Sequence, residues 1–520
     1  MDTTGSINSE ALDNVENEEE VIDDSEEREL VTDSCSTKVL DTGEQPRDKY
    51  CIVYILFYLF GVTSLVPWNF LITANDYWMY KFRDVSPNNL TMVVRKTQFQ
   101  AEFTSYLNVA TAIPNLLFLI LNSLYGHLIP LKARLQGSLI IVTICFLVTT
   151  SMVQVNTDDW QNTFFIITII CVVIMTGEFI YCCYRITKAA FRRHAPAKRT
   201  PLQQKHGHFY CLSLFYGYCH YFFKQVCLED IKKGEEFPSQ LLPTASAVFI
   251  GGLVGIASRF SKEYMAAVVS GQSLGGIIAA VAQIISLAFK ISPLHSALIY
   301  FVIADIMVIT SLISYVLLYK IDFFTYHILR GCGGISTNRH REVFMTVIIK
   351  KIWVYAFSIF AVFAISMSVY PAVTVLVESH PDTKGTDWNN IYFVPVVNYL
   401  IFNCGDYAGR LVAGFLLRPN NHWIIAGASI LRIIGVPMLM LCNAQPRKHL
   451  PVVFLWDWEY IIIMIVFAFT NGYLTNIVMI NSTRVVELHE REKASGLIAT
   501  MLSVGLCAGA AVGMLLVHLL

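Results

Sequence analysis

The chain has 520 residues, of which 55% are hydrophobic and only 15% charged, with a mean hydropathy of +0.52. Soluble domains carry about a quarter charged residues, so this composition excludes a soluble globular fold and points to an all-α polytopic membrane protein. The net charge of −1 hides a division, because residues 1–46 hold 15 acidic and 2 basic side chains while the rest of the chain is basic.

The acidic block "NEEEVIDDSEERE" has too few large apolar residues to bury a core, so residues 1–46 read as a disordered cytosolic tail. It lacks the basic start and apolar core of a signal peptide. Within it, Glu26-Glu27-Arg28-Glu29-Leu30-Val31 approximates an acidic dileucine sorting signal with valine in the last place, read from Glu26, Leu30 and Val31. The plainer reading is a solvated tail.

A span needs roughly 20 mostly apolar residues. Such runs lie near 51–74, 103–126, 135–155, 264–289, 296–319, 352–377, 391–417, 423–442, 460–480 and 495–518. An eleventh is built from "NTFFIITIICVVIMTG" (162–177), alone or with a distant partner. Basic loops around Lys132/Arg134, Arg259/Lys262, 320–351 and Arg484/Arg491/Lys493 alternate with loops poor in positive charge. That pattern predicts a cytosolic N-terminus and a lumenal or extracellular C-terminus, with Arg447 and Lys448 on the wrong side. The long loop 320–351 divides residues 47–319, with six spans, from 352–520, with five, a division suited to two bundles that rock against each other. Asn89-Leu90-Thr91 is a glycosylation sequon in the first non-cytosolic loop; Asn481-Ser482-Thr483 falls on the cytosolic side and is expected to be idle.

Two spans carry polar groups that lipid does not reward. In "LVPWNFLITANDYW" (65–78), Trp68 and Asn69 are expected to face inward beside Pro67, and Asn75 to Trp78 to reach an interfacial aromatic belt. In "FNCGDYAGR" (402–410), Asp406 and Arg410 stand four residues apart and so share one helix face. They read either as a structural ion pair pinning two helices or as a pair in a polar cavity. Asn398, Asn403 and Asn471 add amides at membrane depth, which serve helix packing as often as ligands. "VVSGQSLGGIIAA" spaces Gly271, Gly275 and Gly276 for close packing. It also contains a formal G-x-S-x-G, but that nucleophile elbow needs a strand-to-helix turn that an apolar helix does not supply. No H-E-x-x-H, P-loop or zinc-type cysteine spacing occurs among the thirteen cysteines, so no metal, no cofactor and no enzymatic activity are expected.

"PRDKY" leading into "VPWNFLITANDYW", then "SGQSLGG", "YPAVTV", "FNCGDYAGR", "LRIIGVPMLMLCNAQPR" and "FAFTNGYLTN" occur in order. Together they strongly resemble the equilibrative nucleoside transporter family over roughly 47–177 and 245–520. "ITANDYWMYKF", the acidic tail and the ending "LLVHLL" look most like its lysosomal branch. The resemblance implies eleven spans in a major-facilitator-like 6+5 bundle, alternating access, and facilitated transport of nucleosides, with nucleobases and a proton influence as open extensions. It implies that Trp68 walls the base, that Asp406 and Arg410 reach polar edges of the substrate with Asn403 nearby, that Leu65 and Ile72 line the pocket, and that Tyr370 adds an aromatic in span seven. The partners implied are nucleoside substrates, the lipid bilayer and sorting adaptors on the tail, without nucleic acid. The location implied is the late endosomal or lysosomal membrane, with the plasma membrane second.

The pattern breaks between Gly177 and Ala245. Residues 178–244 bring ten positive charges and five cysteines, and removing them joins "VVIMTG" to "ASAVFIGGLVGIAS" as one fourth span. The segment reads as an atypical insertion; a rival reading returns through 209–228 to give thirteen spans. A glutamine that some relatives use in helix four is not evident, and Ile250 falls near its place. The alternatives in function are an organic-cation transporter of the same family and a transport-dead membrane scaffold.

Overall fold

The structure is a computed structural model that describes residues 46–83, 131–175, 245–331, 345–383, 385–415, 421–445, 447 and 449–520. The tail with Glu26, Leu30 and Val31, the sequon at Asn89, the expected span 103–126 and the insertion 178–244 lie outside the described residues.

What is described is helical. In chain order come α1 (Ile52–Thr73), α2 (Asn75–Lys81), α3 (Leu131–Met152), α4 (Gln161–Met175), α5 (Ala245–Arg259), α6 (Lys262–Ala288) and α7 (Pro293–Leu318). These are followed by α8 (Asp322–Gly331), α9 (Met345–Val369), α10 (Ile401–Phe415), α11 (His422–Leu431), α12 (Gly435–Met440), α13 (Asp457–Arg484) and α14 (Arg491–Leu519). Among the described residues, eight helical stretches are long and apolar enough to cross a membrane. The chain is therefore an all-helical polytopic membrane protein. The expected fourth span appears as two separate 15-residue helices, α4 and α5, one on each side of the insertion.

Local chemistry fixes the helix starts. The carboxylate of Asp48, from "PRDKY", accepts the backbone N–H groups of Val53 and Tyr54 at 3.1 Å each, satisfying donors that the first turn of α1 leaves free. It also accepts the Tyr264 hydroxyl at 2.9 Å, tying α1 to α6. Asn421 caps α11 by accepting from the N–H of Trp423 at 2.9 Å, and Pro293 opens α7 where its missing N–H costs nothing.

The stretch 65–78 departs from expectation at its far end. Pro67 lies inside an unbroken α1, and the break comes at Ala74, whose ψ of 30° turns the chain into α2. That turn sends Tyr77 and Trp78 into the core, each only 1% exposed, and not into an interfacial belt. Trp78 donates to the carbonyl of Leu71 at 2.9 Å and lies among Tyr77, Phe164 and Phe301. Buried aromatic area outweighs what the interface offers.

Small residues let helix backbones meet. At the α1/α6 crossing a Cβ on Gly61 would run into the Val268 carbonyl, and one on Gly271 into that of Tyr58. At the α10/α13 crossing Gly409 and Gly472 stand in the same way against Phe469 and Asp406. Ahead of α10 the helix is wound as π-helix over Trp388–Tyr392 and again over Val394–Leu400.

Among the described residues two buried apolar clusters result. The larger unites α1 to α8 with one end of the C-terminal helices, including Ile348 to Val362, Leu474 to Val486, Ala494 and Ile498. The second is drawn from residues 365–520 alone, with Val369, Phe402, Met440, Met464 and Leu520 among its members. Arg447, expected on the side poor in positive charge, turns its guanidinium onto the backbone carbonyls of Met440, Cys442, Ala444, Leu450 and Pro451.

Candidate functional site

Asp406 and Arg410 lie on the buried face of α10, 4% and 6% exposed. One turn apart, they form an ion pair with Arg410 Nε 2.8 Å from Asp406 Oδ2. The carboxylate does not rest on that pair alone. Ser273 of α6 donates its hydroxyl to Oδ2, and Asn471 of α13 donates Nδ2 to Oδ1 at 2.7 Å. Arg410 in turn donates Nη1 to the Val269 carbonyl at 2.6 Å and, at the limit of 3.5 Å, to Gln272. Asn476 donates to the Arg410 carbonyl at 2.6 Å. The pair therefore joins α10 to α6 on one side and to α13 on the other, as the helix-pinning reading expects.

Next to it, the Tyr58 and Tyr407 hydroxyls share a hydrogen bond of 2.6 Å, linking α1 to α10. Asn403 donates to the Tyr399 carbonyl at 2.9 Å, and its side-chain oxygen sits where Gly276 of α6 leaves room for it. Tyr370 stacks on Phe402, one turn before Asp406, with ring centroids 3.7 Å apart and planes 10° from parallel. Asn398, in the π-wound stretch, is 1% exposed, and neither its amide oxygen nor its nitrogen has a partner among the described residues.

Leu65, Trp68 and Ile72 fall on one face of α1 by their spacing, and all three are half-buried. Trp68 and Ile72 pack on the larger cluster. The Trp68 indole N–H engages in no hydrogen bond among the described residues, and its ring is packed in part on the larger cluster. No hydrogen bond or ring contact among the described residues joins these three to Asp406 or Arg410. Ile250, near the place of the missing glutamine, is half-buried on α5.

Four participants escape a reading of the sequence: Ser273, Gln272, Ser366 and Arg432. Ser273 belongs to the formal G-x-S-x-G, and in the structure it sits in the uninterrupted α6, with no elbow, and serves Asp406. Arg432 is 6% exposed within the apolar stretch His422–Met440 and reaches Ser366 and Asn471. Its signal was an arginine inside a span. With it, the buried cluster holds two guanidiniums for one carboxylate among the described residues.

Among the described residues no group of histidine, cysteine or acidic side chains could hold a metal ion. The ends of the helices are tied separately. Arg259 of α5 pairs with Glu492 of α14 at 2.6 Å, and Lys351 of α9 with Glu490 at 2.7 Å.

The family model described as nucleoside transporter matches residues 240–342 and 333–518, more than half of the chain. The chain belongs to the nucleoside transporter family. Members of this family are transporters and not enzymes. The chain is 28% identical to human equilibrative nucleoside transporter 1, over 91% of its own length and 98% of that protein. It is 27% identical to rat equilibrative nucleoside transporter 2, over 92% and 99%. For rat equilibrative nucleoside transporter 3 the identity is 25%, over 91% and 90%. These identities do not separate the family's members. The matched regions of this nucleoside transporter homologue contain Asp406, Arg410, Asn471, Ser273 and Arg432.

Proposed function

We propose that this chain moves nucleosides down their gradient across a membrane by alternating access. The observation that carries the reading is the buried Asp406–Arg410 pair, which a member of the nucleoside transporter family bonds simultaneously to α6 and to α13. A nucleoside offers hydroxyls that a carboxylate accepts and carbonyl or ring-nitrogen acceptors that a guanidinium serves. Trp68, with Leu65 and Ile72, supplies an aromatic and apolar wall for the base, while Asn403 and Tyr370 complete the C-terminal side.

The two apolar clusters support alternating access. One end of the C-terminal helices is merged with the N-terminal ones, while the other end packs within itself. The Arg259–Glu492 pair joins α5 to α14 at the merged end and has to part when access switches. Eleven spans arranged as six and five, a cytosolic N-terminus and a lumenal C-terminus belong to the same proposal. So does a late endosomal or lysosomal location, which the motif at Glu26, Leu30 and Val31 supports. An excess of guanidinium over carboxylate speaks against organic cations as cargo.

The test is uptake of radiolabelled uridine and adenosine into proteoliposomes containing the full chain, beside Asp406→Ala and Arg410→Ala. Uptake that saturates in the parent and is lost in both variants is expected. Normal uptake by both variants, once their incorporation is verified, would overturn the site. No uptake by the parent would overturn the function.

A further inference from the structure

Arg432 carries the second guanidinium of the cluster, and contact with a substrate gives it no task. It lies where α11 passes into the short 3-10 turn Arg432–Ile434, inside an otherwise apolar stretch. Ionisable groups at membrane depth are costly and persist where they have partners and a use. Arg432 Nη1 donates to the Phe467 carbonyl at 2.9 Å and to the Thr470 hydroxyl at 2.5 Å. Nη2 donates to the Ser366 hydroxyl oxygen at 2.7 Å and, weakly at 3.5 Å, to Asn471 Oδ1. The guanidinium also lies 4.6 Å from the centre of the Phe467 ring.

The consequence falls on Asn471. Its Oδ1 lies 2.7 Å from the Ser366 hydroxyl, whose single proton is shared with the Val362 carbonyl at 2.7 Å, and faces Arg432, a group that can only donate. An amide has one acceptor end and one donor end. Fixing the oxygen toward Arg432 leaves Nδ2 aimed at Asp406, where it donates at 2.7 Å. With the amide reversed, an oxygen would face a carboxylate. Arg432 on one side and Asp406 on the other therefore agree on the direction of the bond that holds Asp406 from α13.

Asp406 is thus held from two sides, by Ser273 of α6 and by the chain Arg432–Ser366–Asn471 from α11, α9 and α13. Under alternating access the first contact crosses the boundary between moving parts and the second does not. We propose that Arg432 is a positioning residue: through Ser366 and Asn471 it keeps the Asp406 carboxylate in its substrate-binding pose when Ser273 withdraws. The inference rests on the nucleoside-transport reading above.

The test is a double-mutant cycle on the full chain, read by equilibrium binding of radiolabelled uridine up to millimolar concentration and by KM and Vmax in proteoliposomes. Arg432→Met is expected to raise KM roughly tenfold, the loss of charge-assisted hydrogen bonds, with Arg432→Lys recovering part of it. In an Asp406→Asn background Arg432→Met is expected to change binding no further. An equal loss in both backgrounds would assign Arg432 a purely structural role and overturn the proposal. If Asp406→Asn binds too weakly to measure, the cycle is run with Ser273→Ala, where the combined loss must exceed the product of the single ones; a simple product refutes the proposal. Should Arg432→Met not fold, Ser366→Ala removes one link with little change in volume and is expected to raise KM about threefold, an unchanged KM being the contrary result. Normal uridine binding by Asp406→Asn alone would instead sink the transport site and leave the geometry of Arg432 untouched.

Discussion

The cluster around Asp406 predicts an asymmetry between the two members of the ion pair. Asp406→Ala strips the acceptor from Ser273 and from Asn471 and takes the counter-charge from both Arg410 and, through Asn471, Arg432. Breaking a buried pair from one side costs about 3–5 kcal/mol, and this removal leaves two guanidiniums with no carboxylate, so about 4 kcal/mol or more is expected. Arg410→Met is milder. Asp406 keeps both of its neutral donors and the nearby charge of Arg432, and the main loss is the donor to the Val269 carbonyl. About 2 kcal/mol is expected there, an unsatisfied acceptor plus a weakened pair. Thermal unfolding of the purified protein in detergent ranks the two, and uptake of uridine tests them separately. Both should lose transport, since the proposed site sets each of them against the substrate. Arg410→Met proving as destabilising as Asp406→Ala would refute the reasoning, because it would mean that Arg432 does not share the carboxylate.

Gly472→Ala puts a methyl group against the Asp406 carbonyl at the α10/α13 crossing and should cost about 1–3 kcal/mol while lowering uptake, as melting and transport measured together will show. Trp68→Ala should raise the KM for uridine more than Trp68→Phe does, and equal effects would remove stacking from the account. Replacing Leu30 and Val31 by Ala should move a tagged protein from lysosomes to the cell surface; imaging that finds no movement discards the motif, and a parent already at the surface discards the location. Joining Gly177 to Ala245 should give a chain that expresses at least as well and transports better, with an inactive shortened chain beside an active full one arguing that 178–244 belongs to the machine.

Apolar run length made most of the spans legible, because a bilayer demands roughly 20 such residues whatever they pack against. Helical spacing made the Asp406–Arg410 pair legible for the same reason: four residues on one helix are neighbours by geometry. Contacts between helices are not encoded that way. Ser273 and Asp406 meet across 133 positions, and only the packing of α6 on α10, eased by Gly276, brings them together. Arg432 needed the positions of Ser366 and Asn471 on two other helices before its role could be seen. Tyr77 and Trp78 read as interfacial because aromatic residues at a span's end often are, and the turn at Ala74 that buries them leaves no mark in composition.

The π-winding ahead of α10 acts as a phase setting. An α-helix advances about 100° per residue, and a π turn closes its hydrogen bonds one residue later, so each such turn offsets the azimuth of everything that follows. Asp406 and Arg410 follow Leu400, the last residue so wound, by about two and about three turns. Their bearing toward Ser273 and Asn471 is thus inherited from the winding upstream. Rewinding a single π turn as α would swing the charged pair around its own axis with the helix still continuous, and would carry with it Asn398, buried in the same stretch with no partner for either amide atom among the described residues.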